Sequence, residues 1–202
     1  GRALPLPYLA AVGERARAAG AAVHVDGARI FNAALAQGVP PAAIAAFGDT
    51  VTFCLSKGLS APMGSILAGS RDFVVRARSY RRMVGGSLRQ AGCVAAAGLV
   101  ALRGMAGRLA DDHRRARALW TQLRDQEPAL IGDAPDTNIV LVHLGASGPG
   151  GATACAARLA SRGLLVRPRD ADTLRLVIHR HIDDDAVRIA AAEIVRAAGR
   201  ER

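Results

Sequence analysis

The amino-acid sequence predicts an α/β protein: a mainly parallel sheet covered by helices over residues 1–115, followed by a small α+β domain over residues 116–202. Three observations carry this prediction. Segments with helical periodicity alternate with short apolar runs through the first half. Those runs are too hydrophobic to alternate as a half-solvated strand does, which implies cover on both faces. Beyond about residue 115 the pattern changes to strands clustered between helices.

Taken in order, residues 8–19 place apolar side chains at helical spacing, and Gly20 stops that helix. Residues 21–25 then read as a short buried strand ending at Asp26. Residues 31–37 and 41–47 are two short helices parted by Gly38-Val39-Pro40. Residues 50–55 form a second β-rich run ending just before Ser56-Lys57, 58–62 a loop, and 64–68 a third strand. An arginine-rich helix over 71–84 ends at Gly85-Gly86. A long helical region follows over 90–126, broken near 104–107. Residues 138–144 read as a strand, 148–151 as a turn and 153–162 as a helix. Residues 164–167 and 174–179 are strands, and 183–198 is a closing amphipathic helix.

Half of the residues are hydrophobic but only 3% are aromatic, so alanine and the aliphatics must supply the core. Twenty-two glycines and nine prolines set between apolar runs suit a globular chain and not a disordered one. Of 27 basic residues, 26 are arginine and one, Lys57, is lysine. Coding bias toward G+C accounts for arginine wherever a positive charge suffices. A guanidinium stays protonated and cannot serve as an amine nucleophile, whereas a lysine can be deprotonated by its surroundings. The surviving lysine therefore marks a position where a primary amine is needed.

The net charge of +10 is dispersed, with no basic run and no interleaved aromatics, which argues against nucleic-acid binding as the main function. Cys54, Cys93 and Cys155 are far apart and lack metal-ligand spacing. Free thiols suit a reducing, cytoplasmic compartment. The longest apolar stretch, 93–102, is too short to span a bilayer, and no signal peptide opens the chain. Residues 1–7 read like the middle of a connection, so a longer protein is expected.

Three features carry chemistry. His24-Val25-Asp26-Gly27-Ala28-Arg29 puts a carboxylate at the end of a strand and an arginine three residues later. Cys54-Leu55-Ser56-Lys57-Gly58 puts the lone lysine beyond the end of the next strand. Ligands of open α/β sheets sit beyond the carboxyl ends of strands, so the two segments are expected to converge on one pocket. Leu174-Arg175-Leu176 puts a cation on a strand of the small domain, where it could close over that pocket. Each feature has a plainer reading: a turn at Asp26-Gly27 with Arg29 paired to it, a solvated Lys57, a surface Arg175. His179 and His181, on one strand face by alternation, lack a third ligand and read as packing or substrate contacts, so no metal is expected. The set nevertheless matches what a pyridoxal phosphate site requires. It needs an amine for the aldehyde, a carboxylate for the pyridine nitrogen and a guanidinium for a substrate carboxylate.

With these segments, the sequence resembles the low-specificity L-threonine aldolases within the aspartate-aminotransferase-like, fold type I pyridoxal phosphate enzymes. The matching stretches are 24–33 (HVDGARIFNA), 53–69 (FCLSKGLSAPMGSILAG), 81–97 (RRMVGGSLRQAGCVAAA) and 175–179 (RLVIH). The resemblance implies that residues 1–115 are the remainder of the cofactor-binding large domain, and that an N-terminal part of the family has no counterpart here. It implies pyridoxal 5′-phosphate held as a Schiff base by Lys57, with Ser56 beside it, Asp26 on the pyridine nitrogen and Arg29 near the cofactor and the substrate. Arg175 would bind the substrate α-carboxylate, and Arg89 would reach a cofactor phosphate, in a homodimer or homotetramer. The implied reaction cleaves threonine-type β-hydroxy amino acids to glycine and an aldehyde. The alternatives are another fold type I lyase or aminotransferase, or a truncated, inactive chain with a structural role. Four positions depart from the family pattern: Ser60 for glycine, Tyr80 for tryptophan, Arg82 for lysine and Ile178 for threonine. No membrane or nucleic-acid partner is expected.

Overall fold

The structure is a computed structural model that describes residues 1–145 and 150–199. Its contacts divide the chain into two compact units, Ala3–Leu109 and Ala110–Arg202, the second joined by Gly1–Arg2. The sequence reading set its division six residues later, at 115/116.

The first unit opens with helix α1 (Leu6–Ala18), which starts where Pro5 and Pro7 suit a first turn. Strand β1 (His24–Asp26) is short and leads into helices α2 (Ile30–Gln37) and α3 (Pro41–Ala45). Gly38, at φ 65°, ends α2 in the left-handed conformation that glycine adopts without a Cβ penalty. Strands β2 (Thr50–Cys54) and β3 (Ser65–Ala68) complete a three-stranded sheet of order β1-β2-β3. β1 pairs parallel to β2 with Asp26 opposite Thr52, and β3 returns antiparallel with Ser65 opposite Cys54. Helix α4 (Arg71–Met83) is capped by the Ser70 hydroxyl, which accepts from the Phe73 amide at 3.3 Å. Helix α5 (Gly92–Val100) runs into a π-helical turn, Ala101–Met105, where the sequence predicted a break slightly later.

The strands alternate more than their hydrophobicity implies. Val25, Val51 and Phe53 share one face, where Val51 and Phe53 pack on the Ile30, Ala34 and Ile44 cluster. His24, Asp26, Thr50 and Thr52 share the other, and His24 and Asp26 are exposed. Cover on both faces was expected. Within the described residues, period-two alternation leaves the polar face open.

The second unit is built on a second sheet of order β4-β6-β5, with all pairings antiparallel. Helix α6 (Leu109–Gln126) leads through a 3-10 turn (Pro128–Leu130) to β4 (Ile139–His143), then α7 (Gly151–Ala160), β5 (Arg167–Pro168), β6 (Thr173–Val177) and α8 (Asp184–Ala197). Of the strand expected over 164–167, only Arg167 joins the ladder; Pro168 follows it and has no N–H to donate. The turn expected over 148–151 lies in part outside the described residues. Val140, Val142, Leu174 and Leu176 turn to one face of this sheet, against Leu119 and Leu123 of α6, Leu159 of α7 and Ile194 of α8. α8 starts at Asp183, whose carboxylate accepts from the Ala186 amide at 2.8 Å. Asp184 in its first turn takes hydrogen bonds from Arg114 and Arg115, and the Arg115 bond above all holds its carboxyl below the ordinary aspartate range. Among the described residues no single helix is long and apolar enough to cross a membrane.

Two stability effects are expected. Leu174 is 0% exposed in the centre of the small sheet, so Leu174→Ala should cost about 2–5 kcal/mol by cavity formation. Urea denaturation measures this, and a loss below ~1 kcal/mol would place Leu174 outside the core. Ser60 is the sole non-glycine residue at positive φ among those described, at 62°. The left-handed conformation costs an L-residue roughly 1–2 kcal/mol, and glycine returns about half of that gain as unfolded-chain entropy. Ser60→Gly should therefore raise stability by about 0.5–1 kcal/mol, and a lowered denaturation midpoint would contradict it.

Candidate functional site

The carboxyl edge of the β1–β2 pair gathers the first group of predicted residues. Because the two strands are parallel and in register, both leave the sheet at the same edge. After Asp26 the chain turns sharply, with the Gly27 amide donating to the Thr52 carbonyl at 2.8 Å and the Ile30 amide to the Gly27 carbonyl at 2.8 Å. A side chain at position 27 would put its Cβ 3.0 Å from the Thr52 oxygen and 3.1 Å from Ile30 Cβ, so the close approach selects glycine. One Asp26 carboxylate oxygen accepts from the Ala28 amide at 3.2 Å, which steadies the side chain in an Asx turn. Arg29 occupies the residue before α2 and is half-buried.

β2 continues into a loop whose shape is set by two leucines. Leu55 and Leu59 are 5% and 3% exposed, anchored in a cluster with Ala61, Ala101 and Leu109. Ser56 and Lys57, between them, are thereby turned outward and exposed. The loop is closed by Leu55 N–H to Gly64 carbonyl (3.0 Å), Ala61 N–H to Leu55 carbonyl (3.0 Å) and Ser60 N–H to Lys57 carbonyl (2.8 Å). The Ser60 hydroxyl donates to the Gly58 carbonyl at 3.2 Å. A Cβ at Gly58 would come within 2.7 Å of Leu109, so the residue after the lysine has no room for a side chain.

Among the described residues neither Asp26 nor Lys57 belongs to an ion pair. An anion and an amine thus sit at one sheet edge without neutralising each other. Arg89 lies in the exposed turn between α4 and α5, away from this edge in sequence. Arg175 is in the second unit, half-buried on the central strand β6. With Arg167 and His179 it lines a cavity of about 280 Å³ whose other walls are largely aliphatic.

His179 and His181 were expected on one strand face. β6 ends at Val177, so both lie beyond it, their rings edge-to-face at 5.7 Å with the His181 amide donating to His179 Nδ1 at 3.3 Å. A further cavity of about 360 Å³ in the second unit is lined by Arg2, Trp120, Asp133 and His143 and contains no predicted residue. Its principal polar groups are already satisfied, with Arg2 paired to Asp133 and Asp136 and the Trp120 indole donating to the Gly132 carbonyl at 2.9 Å.

Sequence reasoning missed three polar residues. The His24 ring reaches Thr50 Oγ1 from Nδ1 at 2.8 Å and Thr52 Oγ1 from Nε2 at 3.3 Å, which orders the sheet face that also carries Asp26. Asn32 is 2% exposed and lies against Gly58, tying α2 to the lysine loop. Asn138 is 2% exposed and donates its side-chain amide to the Ile178 carbonyl at 2.7 Å. The available signal was a polar residue within an otherwise apolar run for His24 and Asn32, and one at the head of an apolar run for Asn138.

The pattern of the family described as Beta-eliminating lyase matches residues 1–147. The low specificity L-threonine aldolase of Escherichia coli (strain K12) is 38% identical over 192 residues, covering 95% of this chain and 56% of that one. Low-specificity L-threonine aldolase 1 of Arabidopsis thaliana is 37% identical over 183 residues, covering 90% and 51%. The chain spans about half the length of the curated relatives it matches. A crystal structure from Exiguobacterium sp. 255-15, named provisionally as an aromatic amino acid beta-eliminating lyase/threonine aldolase, superposes with a TM-score of 0.77 at 24% identity. It covers 98% of this chain and 58% of that chain, and it fixes the fold. With the family pattern matched over residues 1–147, the chain belongs to the Beta-eliminating lyase family.

Proposed function

We propose that this chain forms part of a pyridoxal phosphate-dependent aldolase that cleaves threonine-type β-hydroxy-α-amino acids to glycine and an aldehyde. The observation that carries the reading is the display of the lone lysine, pushed outward between Leu55 and Leu59 at the same sheet edge as Asp26, which has no ion-pair partner among the described residues. The likeness to proteins named as L-threonine aldolases supports it.

The residues at that edge fit the cofactor. Lys57 offers an amine with no competing ion pair, and Asp26 keeps one carboxylate oxygen outside its Asx turn. When bound, pyridoxal phosphate supplies an electron sink for the electron pair left at the substrate Cα. Asp26 would hold a proton on the pyridine nitrogen, its orientation fixed by the Ala28 amide and by the polar face it shares with His24. Ser56, beside the lysine, would contact the cofactor, and Arg29 would contact cofactor and substrate from the start of α2. Arg89 would meet the phosphate group, within a homodimer or homotetramer. Arg175 would grip the α-carboxylate through two parallel hydrogen bonds, which selects the Cα–Cβ bond for cleavage. In that step the β-hydroxyl loses its proton, the Cα–Cβ bond breaks, the aldehyde departs and Cα gains a proton to give glycine. In this reading residues 1–115 are the remainder of the cofactor-binding domain, residues 116–202 are the small domain, and the protein is cytoplasmic.

Adding pyridoxal phosphate to the protein and reducing with borohydride should leave a label on Lys57, located by peptide mapping. Lys57→Ala should abolish the label and lower aldehyde release from L-threonine by at least about 10³-fold. A label on another residue, or none, would refute the assignment. Amino transfer to a keto acid in place of aldehyde release would favour an aminotransferase.

A further inference from the structure

β1 has three residues and, among the described residues, pairs with β2 alone. Strands of globular proteins usually run to about five or six residues, so backbone pairing by itself holds β1 weakly. Asp26, its last residue, is the group proposed to face the pyridine nitrogen, and its place beside β2 fixes its place relative to Lys57. The His24 ring reinforces that pairing. Its Nδ1 bonds Thr50 Oγ1 at 2.8 Å and its Nε2 bonds Thr52 Oγ1 at 3.3 Å, so one side chain of β1 holds two of β2. Thr50 is the in-register partner of His24, and Thr52 is that of Asp26. Thr52 also acts from beyond Asp26: its carbonyl accepts from the Gly27 amide at 2.8 Å, an amide shared with the Val25 carbonyl at 2.9 Å. One threonine therefore brackets Asp26, bound to residue 24 through a side chain and to residue 27 through the backbone. On its other flank Thr52 faces Leu67 of β3, which offers the hydroxyl no partner.

An exposed histidine on the face that carries Asp26 invites a role as general base. Both of its ring nitrogens are engaged, however. A hydroxyl can donate or accept, so the two bonds persist whether the ring is neutral or protonated. A ring tied at both nitrogens braces the strands and has no site left for carrying a proton. The other residues on this face are Asp26, Thr50, Thr52 and Cys54 on β1 and β2, with Ser65 and Leu67 on β3. We propose that His24 is a positioning residue: by bridging Thr50 and Thr52 it sets where Asp26 stands against the cofactor's pyridine nitrogen. The proposal rests on the reading of Asp26 as the partner of that nitrogen, and it adds the device that holds the carboxylate in place.

Two sets of variants test it. His24→Phe keeps a ring and removes both bonds. Thr50→Val with Thr52→Val removes the same bonds from β2 and keeps the branched shape that suits a strand. In the chain without cofactor, hydrogen exchange at the Gly27 amide should be at least about tenfold faster in either, with exchange in the second unit unchanged. In the pyridoxal phosphate-loaded protein, the cofactor's dissociation constant should rise about tenfold. The kcat for aldehyde release from L-threonine should fall about tenfold, with KM within about twofold. A nearby carboxylate favours the protonated pyridine, so misplacing it should let the nitrogen lose its proton about one pH unit lower, followed by NMR of isotope-labelled cofactor. Lost stability alone would leave that titration in place. His24→Gln, whose amide carries a donor and an acceptor, should recover most of each effect. Adding His24→Phe to the threonine pair should change little further, because both remove one bridge. Exchange at Gly27 that stays at the parent's rate in both sets overturns the proposal. So do threonine variants that behave as the parent while His24→Phe loses activity, since the ring would then act directly. Faster exchange with an unmoved nitrogen titration overturns it as well, leaving His24 to serve the sheet alone. If the parent forms no Schiff base at Lys57, the reading of the site fails and takes the claim on the cofactor with it, whatever the exchange shows.

Discussion

The parallel, in-register pairing of His24–Asp26 with Thr50–Thr52 is the constraint from which the rest of the first unit follows. Antiparallel strands would send Asp26 and Lys57 off opposite ends of the sheet. Parallel strands bring both to one edge, and each loop beyond that edge is then shaped by what it must avoid. Gly27 leaves room for the Thr52 carbonyl, and Gly58 leaves room for Leu109. β3 returns antiparallel, so the lysine loop is closed at its base by the bond from the Leu55 amide to the Gly64 carbonyl. A loop tethered at its base and pinned by two buried leucines has few ways to arrange the residues between them. That restriction holds Ser56 and Lys57 outward, between the two buried leucines.

The second unit solves a different problem. Its core is an ordinary aliphatic one, in which Val140, Val142, Leu174 and Leu176 meet the helices on one sheet face. The opposite face repeats Leu141, Arg175 and Arg167 in a single row across three strands. Burying one face so completely fixes the register, because a slip of one residue would turn Arg175 into the core and Leu176 out of it. The apolar side of the sheet thus decides where the cations on the other side stand.

Much of this was legible in the residues alone. The lone lysine among 26 arginines, the Asp-Gly turn and the ends of β1 and β2 followed from composition, spacing and strand length. What escaped were features that depend on pairing between distant segments. Arg167 carries no local mark, and its position opposite Arg175 exists only once the ladder hydrogen bonds set the register. The strand expected over residues 164–167 placed it at the right end of an element that barely forms. His24 looked like one more residue of an apolar run until Thr50 and Thr52 were brought alongside it. The histidines at 179 and 181 were misplaced for the converse reason. Alternation continues in the sequence past Val177, but the pairing with β4 stops there, opposite Ile139.

Ser60 joins these threads. The resemblance leads to glycine as the expected residue there, and the backbone at 60 is left-handed, so serine puts a Cβ where sterics oppose it. In return the hydroxyl donates to the Gly58 carbonyl, so the side chain that costs conformational energy also ties the turn after Lys57, beside the backbone bond from the Ser60 amide to the Lys57 carbonyl. A position of this kind persists only if its surroundings over-determine it, and Leu55, Leu59 and Gly58 packed on Leu109 do so from both sides. The like-charged pair of Arg167 and Arg175, opposite each other on β5 and β6, has the same character, since the aliphatic core beneath it fixes a register that the charges alone would disfavour. In each unit, then, the conflict between local preference and global fold falls on residues that lie off the core and not on those that hold it. That is where a chain whose other local choices agree with its fold can sustain strain without loosening its core.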